Sequence, residues 1–408
     1  MKRDILKFFV LIFLMGFVGC GDKNMEETQE EETEEAQKLV LWSYYETEAQ
    51  QEGMDKLVKG FNESQDKYEL SWEYVPMADF TKKLTFSESR DDFPDLVLVD
   101  NPDMESLIKI GLLADLTESL KGKISIEEYY SEVWKSVEYQ GRYYGVPFCC
   151  NNTAIIYNKQ MFREKRLKIP VTWSDFKRVA LELTKGGSKA HYGFAMSAAS
   201  GEQAAFQFMP WILSTGVSKE ELNDERVIDA FQLIDQLLED KSMPNDCMNW
   251  SQNDVTRSFL AGKVAMIENG PWALPELEKS GIDYGIFEIP AYACQGIVIG
   301  GENLVAVKGK NLEGAMAFID YYNQEEVMRE ICQITRNIPP KQELAKEFGK
   351  KNPDYQVFVD QMERGISRSS VNNWKNVCRA ISDSLNKMFG SEYNIQQIWH
   401  EYRAGILR

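Results

Sequence analysis

Histidine is nearly missing from this chain: His191 and His400 are the only two among 408 residues. Sites built from several imidazoles and two-histidine mechanisms are excluded, and neither residue stands in a recognisable nucleophile–base motif. Cysteine is also sparse and unpatterned. Beyond Cys20 the thiols fall at 149, 150, 247, 294, 332 and 378 with no CxxC unit, so no zinc or other metal site is expected. Cys149 and Cys150 are adjacent in an apolar context and read as buried thiols. Positive charge is the minority, 46 Lys and Arg against 64 Asp and Glu, for a net −18. That balance offers no basic footprint for nucleic acid and disfavours anionic ligands in general. No internal repeat stands out, and no low-complexity tract interrupts the body.

Long apolar runs are confined to the amino terminus. Lys2, Arg3 and Lys7 precede the run Phe8 to Val18, which is too short to span a membrane comfortably and reads as a leader to be cleaved. It stops at Phe17-Val18-Gly19-Cys20, which resembles the lipobox of bacterial lipoproteins and predicts lipidation of Cys20. Residues 21–37 carry seven glutamates and almost nothing apolar, so they are read as a disordered acidic tether. The leader contributes +2 and the tether −7, which leaves −18 − 2 + 7 = −13 for the body from Lys38 onward.

What remains is 43% hydrophobic and 27% charged over the whole chain, ordinary for a globular protein. The runs Leu39 to Trp42, Tyr68 to Val75 and Asp95 to Asp100 read as strands, separated by helical spacing over Met54, Leu57, Val58 and Phe61 and over Phe80 to Ser89. A β-α-β-α-β series predicts a mostly parallel sheet whose ligands gather at the carboxyl ends of its strands. Further helices are expected over 104–110 and 126–139, then a hairpin turn at Gln140-Gly141 and a strand over 153–158. Thr172-Trp173-Ser174-Asp175 has capping-box spacing, and Trp173 is read as a first-turn packing residue. The aromatic stripe of the helix over 203–213 is read as core. The double glycine Gly300-Gly301 within the strand pattern over 297–307 implies a bulge or a close backbone approach. The remainder is expected to be helical over 312–322, 324–334, 354–366, 371–389 and 395–404.

One stretch is distinctive. Val264 to Ile267 reads as a buried strand, Asn269 as a helix N-cap, Gly270 as a position of unusual backbone angle and Pro271 as the first helical residue, which leaves Trp272 held up at a turn. In order along the chain stand Leu41-Trp42, Phe61-Asn62, Phe93-Pro94-Asp95-Leu96-Val97, Tyr144-Gly145-Val146-Pro147-Phe148, Ile156-Tyr157-Asn158-Lys159 and Val171-Thr172-Trp173. They continue with Phe259 to Met266, Asn269-Gly270-Pro271-Trp272, Gly300-Gly301-Glu302 and Asn337-Ile338-Pro339-Pro340. Together these segments resemble the extracellular solute-binding proteins of ABC importers, in the sugar-binding branch that includes maltose-binding protein.

The resemblance implies an α/β, two-lobed periplasmic-binding-protein-like (type II) fold with a hinge and a central ligand cleft. It places one lobe at 38–146 plus 291–338 and the other at 147–290 plus 339–408, with hinge strands at Val146 to Phe148 and Phe287 to Pro290 and a third crossing near Ile338 to Gln342. Its implied function is capture of a carbohydrate, an oligosaccharide, for delivery to the transmembrane subunits of an ABC permease. The receptor would be a monomer without catalytic residues or cofactor, lipid-anchored through Cys20 on the outer face of the cell membrane. A pyranose asks for aromatic plates against its C–H faces and planar polar groups for its hydroxyls. By position in the family, Trp272, Tyr44, Tyr45, Glu46, Asp100, Asn151, Trp211, Glu302, Arg336 and Trp374 are the candidates. For Trp211 and Arg336 packing or a structural ion pair is an equal alternative, and Glu302 could instead order the glycine turn. Competing readings are a receptor for a polyamine, a metal or another small solute, and a secreted glycoside hydrolase using carboxylates such as Glu268 and Glu302.

Overall fold

The computed structural model describes residues 35–86, 93–184, 192–390 and 392–407. The leader, Cys20, the acidic run through Glu34, the predicted helix end at 87–89 and His191 lie outside them. Thirteen strands are present among the described residues: β1 Gln37–Ser43, β2 Tyr68–Tyr74, β3 Leu96–Asp100, β4 Glu138–Tyr139, β5 Arg142–Tyr143, β6 Val146–Pro147, β7 Ala154–Asn158, β8 Tyr192–Ala195, β9 Val264–Asn269, β10 Tyr284–Phe287, β11 Val298–Ile299, β12 Glu302–Ala306 and β13 Ile366–Ser367. Five of them form one sheet in the order β2-β1-β3-β12-β6, and four form a second in the order β10-β7-β9-β8.

The first sheet follows from its sequence. All five residues of β3 are buried, because β3 lies between β1 and β12 and is covered on both faces. β1 runs parallel to β2 and β3, as the alternation of strands and helices requires, whereas β12 arrives from far along the chain and pairs antiparallel with β3 and β6. Between β1 and β2, helix Glu48–Ser64 starts from a capping box at Thr47 and Gln50 and buries Met54, Leu57, Val58 and Phe61, the predicted stripe. The second sheet is mixed, with β9 parallel to β8 and antiparallel to β7. Its core takes in Phe176, Phe194, Phe208, Phe231 and Trp211, all essentially without exposure. Each sheet with its helices makes one α/β lobe, and the chain passes between them in neighbouring segments: Cys150 pairs with Ile338, and Asn151 with Gly300.

Several local expectations change. The apolar spacing over 126–139 is real, with Tyr130, Val133, Trp134 and Val137 buried, but it is carried by short turns around helix Ser131–Trp134 and by β4 rather than by one helix. The hairpin is present as β4–β5, with Gln140 at φ 52° and Gly141 at φ 74°, the backbone a two-residue connection between twisted strands demands. Over 354–366 only Gln356–Gln361 is α-helical, because Ile366 leaves to pair with Val298. Helix Gln342–Lys351, unread in the sequence, buries Leu344, Ala345 and Phe348. The double glycine does mark a close approach: Gly301 has φ 134°, and a Cβ there would fall 2.2 Å from the Cys149 carbonyl oxygen.

Asn269 and Gly270 are corrected as well. Asn269 ends β9 and does not cap a helix; its side-chain amide donates to Gln252 O and Thr256 Oγ1 at 2.9 Å each. Gly270 is extended, with φ −103° and ψ −178°, so no unusual angle explains it. It is glycine because the Trp272 ring folds back over it, leaving only 2.0 Å for a Cβ.

Candidate functional site

The same ends of both sheets face one cleft. On the first sheet, Tyr44 and Glu46 follow the carboxyl end of β1, Asp100 ends β3, and Glu302 begins the antiparallel β12, which places it directly opposite Asp100 in register. On the second, Trp272 follows the carboxyl end of β9 and Asn151 precedes the neighbouring β7. Helix Glu202–Ser214 adds Glu202, Gln203 and Phe206, and the loop after β13 adds Arg368. The space between them measures about 860 Å³ out to its open mouth.

Two carboxylates opposite one another on adjacent strands repel unless something lies between or beside them. Here Arg368, 4% exposed, takes Asp100 with both terminal nitrogens, at 2.7 and 3.3 Å, and reaches Glu202 Oε2 at 2.9 Å. The other Glu202 oxygen accepts the Trp374 indole N–H at 2.7 Å. Glu302 is held by hydroxyl and thiol donors: Tyr44 at 3.0 Å, Tyr45 at 3.3 Å and Cys149 at 2.7 Å. Burial pushes the Asp100 carboxyl up to about 8, with Arg368 pulling against it. Burial likewise raises Glu302, opposed by the Cys149 and Tyr44 hydrogen bonds. Burial works to lower Arg368, but Asp100 and Glu202 prevail and hold it above its ordinary value.

The facing wall is aromatic. Phe206 lies 6.2 Å from Trp272 at an interplanar angle of 31°, and the Arg368 guanidinium sits 4.3 Å from the Phe206 centroid. At the mouth, Asn253 Nδ2 donates to Glu46 Oε1 across the cleft at 2.5 Å. Among the described buried acceptors, Asn151 Oδ1 has no hydrogen-bond partner although it lines the cleft. An apolar plate on one side and carboxylates, hydroxyls and amides on the other suit a ligand with flat C–H faces and many hydroxyls.

Of the ten predicted residues, six line this cleft: Trp272, Tyr44, Glu46, Asp100, Asn151 and Glu302. Four do not. Tyr45 is fully buried behind Glu302, where its hydroxyl accepts from Asn337 Nδ2 at 2.9 Å. Trp374 is 5% exposed and reaches the cleft only through Glu202. Trp211 has no exposure and donates to Glu268 Oε2 at 2.7 Å in the core. Arg336 ends helix Glu325–Thr335 in a left-handed conformation, bonded to Asn352 at 2.9 Å and paired with Glu278 at 3.7 Å. Glu268 and Glu302 are not assembled as a carboxylate pair, since Glu268 is sealed among Trp211 and Thr153. Arg368, Glu202, Phe206, Gln203, Gln252, Asn253 and Asn337 were not anticipated. Two carried a signal, Asn337 as the first residue of Asn337-Ile338-Pro339-Pro340 and Phe206 as a member of the aromatic stripe; the stripe is core at Phe208 and Trp211 and reaches the cleft at Phe206.

Two α/β lobes with a polar, aromatic cleft between their strand ends define a solute receptor. The chain belongs to the bacterial extracellular solute-binding proteins, whose family model matches residues 56–359. It is similar to the multiple sugar-binding protein of Streptococcus mutans, 22% identical over 359 residues that cover 81% of this chain and 82% of that one. It is also similar to the sn-glycerol-3-phosphate-binding periplasmic protein UgpB of Rhizobium meliloti, 24% identical over 405 residues covering 88% and 89%. Among solved structures it resembles the GacH receptor of Streptomyces glaucescens, studied unliganded and with acarbose, at TM-score 0.80 and 21% identity over 90% of this chain and 97% of that one.

Proposed function

We propose that this protein is the substrate-binding lipoprotein of an ABC importer and that it captures a carbohydrate, an oligosaccharide, between its lobes. The observation that carries the reading is the pairing of the Trp272–Phe206 wall with the Asp100, Glu202 and Glu302 carboxylates in one cleft. Trp272 stacks on a sugar face, with the buried Phe206 ring packed beside it. The carboxylates accept its hydroxyls. The lobes are taken as 38–146 plus 291–338 and 147–290 plus 339–408. A ligand touching both shifts an open–closed equilibrium toward closure, and the closed form is what the permease subunits recognise. The leader and Cys20 tether the receptor, a monomer, to the outer face of the cell membrane, and it turns nothing over. The multiple sugar-binding relative supports the sugar class.

The test is a thermal-shift screen against mono- and oligosaccharides, because a ligand that binds only the folded state raises Tm. An oligosaccharide that shifts Tm in wild type and not in Trp272→Ala is the expected result. A shift from a polyamine or metal with none from any sugar overturns it, and cleavage of an oligosaccharide during incubation would replace the receptor with an enzyme.

A further inference from the structure

The relatives divide between a neutral and a phosphorylated ligand, a sugar on one side and sn-glycerol 3-phosphate on the other. The charges that line the cleft separate the two. Four carboxylates line it, those of Glu46, Asp100, Glu202 and Glu302, and among the described lining residues Arg368 is the single cation. The formal sum is −4 + 1 = −3, and it is still −2 with a proton on Asp100.

A phosphate binds arginine through two parallel N–H bonds, so it needs a guanidinium edge free and turned toward it. Arg368 turns no such edge to the cleft. Its terminal nitrogens are engaged by Asp100 at 2.7 and 3.3 Å and by Glu202 at 2.9 Å, its Nε has no partner but is buried, its side chain is 4% exposed, and one face is closed by the Phe206 ring at 4.3 Å. An incoming phosphate would have to displace one of those carboxylates, the buried Asp100 or the partly exposed Glu202, while sitting beside Glu302, which stands opposite Asp100 in register. Like charges brought together at a desolvated interface strongly disfavour the complex. Sugar hydroxyls meet no such barrier, since every free lone pair on these carboxylates accepts a hydroxyl proton.

We propose that the cleft is anion-excluding: it takes uncharged, hydroxyl-rich ligands and refuses phosphorylated or carboxylated ones, because Arg368 is a positioning residue that holds Asp100 and Glu202 and is closed to the ligand. Specificity here comes from a repulsive element as much as from an attractive one. The proposal rests on the carbohydrate reading only for the identity of what is accepted.

The full chain is titrated calorimetrically at low salt with sn-glycerol 3-phosphate and glucose 6-phosphate, alongside neutral maltotriose. Wild type is expected to give no binding heat with either phosphate. Asp100→Asn and Glu202→Gln, each nearly isosteric, release part of the guanidinium and are expected to bind the phosphates at least about tenfold more tightly than the wild-type detection limit. A merely structural role for the two carboxylates would not create that gain. Phosphate binding to wild type, or two folded variants that gain none, overturns the proposal. If both variants fail to fold, the wild-type titration decides alone. Neutral sugars that give no heat count against the carbohydrate reading and leave the phosphate arm to judge this one.

Discussion

Trp211 and Trp272 are both organised by β9 and serve opposite ends. Trp211 packs behind the strand, with no exposure, and donates its indole N–H to Glu268, the last residue but one of it. Trp272 follows the end of the strand, folds over Gly270 and lines the cleft beside Phe206. One strand thus presents a tryptophan–glutamate pair to the core and a tryptophan to the ligand. The lesson is that an aromatic residue next to a carboxylate says nothing about a site until one knows which way its strand faces. The two tryptophans should therefore fail in different assays.

The largest effect is expected on the core side. Trp211→Ala leaves a cavity and strips Glu268 of one of its two donors, the other being Thr153 at 2.8 Å. Chemical unfolding should report a loss of about 3–5 kcal/mol, with sugar affinity of the remaining folded protein unchanged. An undiminished unfolding midpoint would dissolve the contrast between the two tryptophans.

Next comes Glu268 itself. Burial raises its carboxyl from the ordinary 4.5 to about 8, opposed by the hydrogen bonds from Trp211 and Thr153. A folded-state value above the unfolded one means that the folded state holds the proton more tightly. The stabilisation is fully present below pH 4.5 and is lost as pH rises through about 8. Glu268→Gln cannot titrate, so its unfolding free energy relative to wild type should rise from pH 5 to pH 8, on the order of 1 kcal/mol per pH unit crossed, and its Tm relative to wild type should rise with it. Parallel Tm curves for the two proteins across that range would show that Glu268 keeps its charge in the fold.

On the cleft side, Trp272→Ala should weaken carbohydrate binding by about 2 kcal/mol, roughly 30-fold, with a smaller change in unfolding free energy than Trp211→Ala because the ring is only partly buried. Titration of wild type and variant with the same sugar decides it. A variant that binds normally but melts early would move Trp272 to the core side of the comparison.

How much of this was legible depends on how far apart the cooperating residues lie. β1, β2 and β3 were readable because each is a self-contained apolar or alternating run, and β3 ends at Asn101-Pro102. The Thr172 cap was readable for the same reason: Asp175 N donates to Thr172 Oγ1 at 3.1 Å, three residues away. Arg368 was not. It stands in the unpatterned stretch Ser367-Arg368-Ser369-Ser370, and its partner Asp100 is 268 residues distant, so no local spacing announces the pair. Trp211 and Arg336 are drawn toward the site by position in the family, with packing or an ion pair as the equal alternative; three-dimensional placement sends one into the core and the other to a helix end. Gly270 was singled out correctly but for the wrong cause, since a ring folding back on its own chain leaves no mark in the sequence.

Trp374 tests the comparison at its smallest scale, because it combines both behaviours. Its ring is buried like that of Trp211, yet its N–H ends on a carboxylate of the cleft, Glu202 Oε1, at 2.7 Å. Trp374→Phe keeps most of the packing and removes only that donor, so unfolding free energy should fall only modestly. Glu202 would then be fixed by Arg368, through one oxygen at 2.9 Å, and by the Cys378 thiol, and would be freer to rotate. The expected loss in sugar affinity is about 1 kcal/mol, roughly fivefold, since one hydrogen bond to a charged group is lost before the ligand arrives. Trp374→Ala gives the control: it should lose stability as a core residue does and affinity by no more than the phenylalanine variant. Equal affinity in wild type and Trp374→Phe would mean that Arg368 and the Cys378 thiol are enough to hold Glu202 in place for the ligand.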